Sequence, residues 1–148
     1  MFYIIAAIII AELIIKREME EHLDKERLIL KDKVLLNKFH NKGIALSYFS
    51  KYTKYVKILT TTVIGALLLL LCYLMHKKQS KFFQLGLSMV LGGALSNMID
   101  RYQYGYVVDY FSFNFGKKLK QIVFNLADII IMAGGAICII AQLFKKGK

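Results

Sequence analysis

Four apolar stretches, Met1 to Ile15, Val56 to Met75, Phe82 to Met98 and Phe124 to Phe144, set the terms for everything else this chain can do. With 57% of its 148 residues hydrophobic, most side chains have lipid rather than a soluble core as their solvent. At about 1.5 Å of rise per residue, the second and fourth stretches each cross a hydrocarbon layer of about 30 Å, and the first and third are marginal. The expected fold is an all-α integral membrane protein, one domain over residues 1–148, with four transmembrane helices. A sizeable extramembrane region between the first two has room for a small β element. The first stretch does not read as a secretory signal, because it lacks a basic start and Glu12 and Lys16 interrupt the place for a cleavage site.

Lys and Arg total 21 against 10 acids, a net charge of +11. The bases gather at the ends of apolar stretches, as snorkelling anchors do at an anionic bilayer surface, so membrane lipid and not nucleic acid is the expected partner. An even number of spans puts both termini on one side. Lys77, Lys78, Lys81 and the tail Lys145, Lys146 and Lys148 argue that this side is cytoplasmic, but the 11 bases from Lys16 to Lys57 argue the reverse. The run REMEEHLDKERLILKDK reads as a solvated helical face, since acids and bases alternate along it. Cys72 and Cys138 stand alone inside apolar stretches and suit neither a disulfide nor a zinc site.

After Asp32 the only acidic side chains are Asp100, Asp109 and Asp128, and each sits beside an apolar stretch, where a carboxylate is costly to hold. Asn97 and Arg101 are four apart at the end of the third stretch, with Asp100 also close to Asn97 on a continuing helix. Asn125 and Asp128 are three apart at the start of the fourth. Asp109 falls in what reads as a loop from Tyr102 to Val123, with Gly105 and Gly116 as turns and Gly43 as a turn further upstream. From there it can fold back towards Asp128. Two carboxylates at the edge of a low-dielectric layer do not both ionise easily, so one holds a proton while the other acts as a base. Such a pair can activate water and protonate a peptide, which is the logic of an aspartyl protease. His22, His40 and His76 have no nucleophile in a comparable setting, and no metal-binding spacing occurs, so no metal is expected. The plainer reading makes these residues helix caps and interfacial ion pairs, Asp100 with Arg101 among them. It explains any one of them, but not the gathering of five polar groups on one membrane face.

The stretches GGALSNMIDRYQYGYVVDYFSF and VFNLADIIIMAGG resemble the two signature regions of lipoprotein signal peptidase, the signal peptidase II family of bacterial membrane aspartyl proteases. HNKGIALSYF is similar to that family's Asn-x-Gly-x-Ala-x-Ser element, and ELIIK at Glu12 to Lys16 falls at its Asp-x-x-x-Lys pattern. The resemblance implies that Asp109 and Asp128 are the catalytic pair, with Asn97, Arg101 and Asn125 around it. Asn41 and Gly43 become substrate-side contacts, and Glu12, Lys16 and Asp100 structural polar groups. It further implies removal of the signal peptide from a prolipoprotein just before its diacylglyceryl-modified cysteine, without metal or cofactor. The termini would face the cytoplasm and the site the outer face. The first loop is expected to clamp over the site through Leu46, Tyr48 and Phe49. Three departures stand out: Glu12 for Asp, Ser96 where a Gly commonly precedes the Asn, and no Pro before Phe124. The rival readings are a catalytically silent module that holds lipidated or signal-helix partners, and a proton-coupled carrier. The first is disfavoured by the two retained carboxylates, and the second by their place at segment ends rather than at mid-membrane.

Overall fold

The computed structural model describes residues 1–43, 50–77, 80–115 and 122–145. Four helices cover the apolar stretches: α1 Phe2–His22, α2 Thr53–His76, α3 Lys81–Gln103 and α4 Leu126–Lys145. Of these, α2, α3 and α4 are long and apolar enough to cross a membrane. α1 carries Glu12 and Lys16 on its buried side and continues about two turns past its apolar part.

α3 is the central helix. Half of its apolar window is buried inside the protein, against 11% for α2 and 17% for α4, so the latter two turn most of their surface to lipid. The contact of α3 with α4 is backbone to backbone. A Cβ added at Gly86 would lie 2.6 Å from the Gly134 carbonyl oxygen, and one at Gly134 would lie 2.6 Å from the Gly86 oxygen. In lipid, where neighbouring apolar side chains gain nothing by leaving water, such close packing is what joins helices. It also fixes the first turn of α4 beside the last turns of α3, since a Cβ at Gly93 would meet the Ala127 oxygen at 2.7 Å.

The extramembrane part is a four-stranded antiparallel sheet in the order β1-β2-β3-β4, with β1 at Arg27–Ile29, β2 at Val34–Asn41, β3 at Val107–Phe113 and β4 at Val123–Phe124. This corrects two expectations. The charged run is helical only as far as His22 and then becomes the β1–β2 hairpin, while Val107–Phe113 of the supposed Tyr102 to Val123 loop forms β3. The sheet is therefore shared between the α1–α2 and α3–α4 connections. The charges of the α1 extension are used to hold it: His40 Nε2 lies 2.9 Å from Glu20 Oε1, Lys38 Nζ donates to the Glu20 carbonyl at 2.9 Å, and the His40 ring stacks on Tyr106.

An irregularity in β2 decides which way Asn41 points. Leu36 pairs with Phe111 but Phe39 pairs with Asp109, so two β2 residues, Asn37 and Lys38, stand opposite Tyr110 alone. Side chains alternate faces along a strand, and an extra residue moves everything beyond it to the other face. The bulge thereby pairs Asn41 with Val107 and turns its side chain to the face that carries Asp109. Leu46, Tyr48 and Phe49, like Gly116, Lys117, Lys118 and Lys120, lie outside the described residues.

Candidate active site

Asp109 leaves the middle of β3 and Asp128 the first turn of α4. Asn125 opens that turn with a reciprocal cap: the Asp128 N–H donates to Asn125 Oδ1 at 2.9 Å, and the Asn125 N–H donates to Asp128 Oδ2 at 3.2 Å. The amide and the carboxylate three residues apart are thus locked to each other before either meets anything else. The other Asp128 oxygen, Oδ1, accepts Asn97 Nδ2 at 3.0 Å. Asn125 Nδ2 donates to Asp109 Oδ1 at 2.7 Å and to Asn97 Oδ1 at 3.1 Å. Asn97 and Asn125 form an amide bridge with one carboxylate at each end.

Each carboxylate has a second support. Asn41 Nδ2 donates to Asp109 Oδ2 at 3.0 Å, and its own Oδ1 is fixed by the Gly43 N–H, also at 3.0 Å. Arg101 runs back along α3 to the Asn97 carbonyl at 3.3 Å and across to the Gly43 carbonyl at 2.9 Å. Its Nε is buried with no partner among the described residues. The expected pairing of Asp100 with Arg101 is not what the structure holds. Asp100 Oδ2 takes Lys16 Nζ at 2.8 Å and the Val108 N–H at 3.1 Å, because the Arg101 head is spent on two carbonyls and the Lys16 ammonium comes from α1 directly beneath.

Lys16 brings a second cation into this network, 3% exposed. Besides Asp100 it donates to Asn97 Oδ1 at 2.8 Å, and it lies 3.9 Å from Glu12 Oε1. Glu12, fully buried, faces the start of α4, where the nearby Ala127 N–H favours its charge. Tyr110 Oη accepts the Leu126 N–H at 2.9 Å and donates to Glu12 Oε2 at 3.2 Å. With the Asn125 cap, the Leu126 and Asp128 N–H groups both have partners, which an apolar helix end buried in protein needs. Tyr110 was not among the residues singled out from sequence. Its only signal there was its place beside Asp109 in an aromatic-rich run. Ser96 is completely buried, so the departure from Gly leaves α3 packed at that point.

Asp109, Asp128, Asn41, Asn97 and Arg101 open on one cavity of about 610 Å³. Its remaining walls are mostly apolar, from Leu59 and Val63 of α2, Ile131 and Met132 of α4, and Phe124 of β4. Asp109 is 2% exposed. Burial first, and then the negative charge of Asp128, push its carboxyl up to about 7, against the opposing pull of the Asn41 and Asn125 amides and Lys16. Among the described residues no three His, Cys, Asp or Glu side chains gather as a metal site requires.

A paired carboxylate site in an apolar cavity beside membrane-spanning helices narrows the choices, and comparison with known proteins decides between them. The sequence profile described as Signal peptidase (SPase) II matches residues 4–144. The chain belongs to the signal peptidase II family. It is 29% identical over 125 residues to the lipoprotein signal peptidase of Clostridium tetani, covering 84% of this chain and 79% of that one. To the lipoprotein signal peptidase of Clostridium acetobutylicum it is 33% identical over 120 residues, covering 81% and 77%. The match to that of Burkholderia vietnamiensis, 38% identical over 106 residues, covers 70% of this chain and 63% of the relative. Two solved bacterial membrane enzymes share the fold. One has a TM-score of 0.84 at 26% identity over 98% of this chain and 88% of its own, the other 0.81 at 26% over 96% and 91%. This signal peptidase II is an aspartic peptidase of a bacterial membrane, multi-pass, and it removes the signal peptides of prolipoproteins.

Proposed function

We propose that Asp109 and Asp128 are the reacting pair, and that the bond cut is the one before a diacylglyceryl-modified cysteine. The observation that carries this is the amide bridge: Asn97 and Asn125 hold the two carboxylates to each other and to the wall of the same cavity. With the Asp109 carboxyl pushed up to about 7, it holds its proton in about half of the molecules at pH 7 and in most of them below that. The ionised member takes a proton from a water as that water attacks the peptide carbonyl, and the protonated member donates to the carbonyl oxygen. Collapse of the tetrahedral adduct returns a proton to the leaving nitrogen. Asn41 and Gly43 border the site from the first loop.

The substrate follows from the walls. A signal helix and two acyl chains are both soluble in lipid, and a cavity with polar groups at one end and aliphatic walls from α2 and α4 suits a bond at the boundary. On this reading the sheet and the site lie at the outer face of the cytoplasmic membrane, and both termini face the cytoplasm. Purified enzyme in lipid should cut a diacylglyceryl-modified prolipoprotein and leave the unmodified precursor intact, with mass spectrometry placing the cut before the modified cysteine. Equal cleavage of the unmodified precursor would sink the lipid requirement. A reporter fused after Lys148 should signal from the cytoplasm, and an external signal overturns the orientation.

A further inference from the structure

Tyr110 follows Asp109 on β3, so its side chain leaves the strand on the opposite face, away from the cavity and towards α1. There its hydroxyl touches two elements at once. It accepts the N–H of Leu126, the residue that opens α4 two positions before Asp128, and it donates to Glu12 Oε2. Burial, and next the charge of Glu12, hold the phenol in its protonated form, so it remains the donor of that pair. The Ala127 N–H lies near enough to favour the Glu12 charge, so both side chains face the start of α4. The strand that bears one carboxylate and the helix that bears the other are therefore joined twice. On the cavity side Asn125 reaches Asp109, and behind it Tyr110 reaches Leu126.

We propose that Tyr110 is a positioning residue for the hydrolysis: its hydroxyl, held between Glu12 and the Leu126 N–H, clamps the first turn of α4 against β3 and fixes how Asp128 faces Asp109. The inference rests on Asp109 and Asp128 being the reacting pair. A phenylalanine fills the same space without the oxygen, so the loss is confined to the clamp. Two buried polar groups, the Leu126 N–H and Glu12 Oε2, would then lack partners, and the turn relaxes to find others. Reaction rates are far more sensitive to such a shift than binding is, because a misplacement of about 1 Å can cost two orders of magnitude.

Tyr110→Phe, as the full chain in lipid, should lower kcat by about tenfold on a lipidated prolipoprotein and leave KM within about twofold. Backbone hydrogen exchange at Leu126 should quicken in the same variant. Parental kcat in folded Tyr110→Phe overturns the proposal, and so does a loss of activity that only follows the loss of folded enzyme while exchange at Leu126 is unchanged. If that variant does not accumulate, Glu12→Gln removes one arm of the clamp and should lower kcat by about threefold, parental kcat again overturning it. Asp109→Asn and Asp128→Asn are assayed alongside. Full activity in either would refute the reacting pair itself, whereas two silent variants beside a fully active Tyr110→Phe would refute the clamp alone.

Discussion

Asp109→Asn and Asp128→Asn should each lower kcat by at least about a thousandfold while the protein stays folded, because an amide of the same shape neither takes a proton from water nor gives one to a peptide. Both variants should also lose stability. At position 109 the new NH₂ meets Asn41 or Asn125, each of which also donates there, so one hydrogen bond is lost. At position 128 the oxygen must stay on the Asn125 N–H, a backbone donor that has no second arrangement, and the NH₂ then faces Asn97 Nδ2. Asn97 is not free to flip, because its oxygen holds Lys16 and Asn125. Asn41 and Asn125 are fixed in the same way, their oxygens holding the Gly43 and Asp128 N–H groups, so each variant should lose about 1–3 kcal/mol for a buried donor left facing a donor. The parent should show a falling limb of kcat/KM as pH rises through about 7, where the pair gives up its proton. The stability effect has the same sign. Between about pH 4 and 7 the folded state keeps the Asp109 proton that an unfolded carboxyl, near 3.8, has already lost, so raising pH across that window favours unfolding. A flat rate profile from pH 6 to 9 would remove Asp109 from the reacting pair.

The membrane helices were legible because hydrophobic length is a one-dimensional property: three of four stretches became spanning helices within a few residues of their expected ends. The scarcity of carboxylates after Asp32 was equally readable, since a buried charge is expensive wherever the fold places it. The sheet was not. In VVDYFSF the alternation is weak, because both faces of β3 are covered, and the flanking Gly105 and Gly116 suggested turns. The β2 bulge that turns Asn41 to Asp109 leaves no mark in the sequence at all, since register is set by the partner strand. Pairing among charges was also hidden. Asp100 and Arg101 are neighbours in sequence, but successive helix residues point about 100° apart, and the cation that reaches Asp100 comes from 84 positions earlier in the chain.

Lys16→Met should be the most destabilising single change in the protein outside the reacting pair. The ammonium sits among Asp100, Glu12 and Asn97, and Asp100 and Glu12 are 1% and 0% exposed, so water cannot replace it. Removing one partner of a buried ion pair costs about 3–5 kcal/mol, because the other charge is left uncompensated, and here one cation serves two carboxylates. The damage should reach the site through Asn97. Without Lys16 the Asn97 oxygen keeps only Asn125 Nδ2, so the amide that holds Asp128 Oδ1 is fixed by one contact fewer. Thermal unfolding in detergent and the cleavage rate should fall together. Asp100→Asn added to Lys16→Met should restore part of the stability, since an amide at 100 keeps an oxygen for the Val108 N–H and no longer carries a charge. That recovery separates charge compensation from simple packing: a double variant less stable than Lys16→Met alone would show that Lys16 acts by filling space and not by neutralising Asp100.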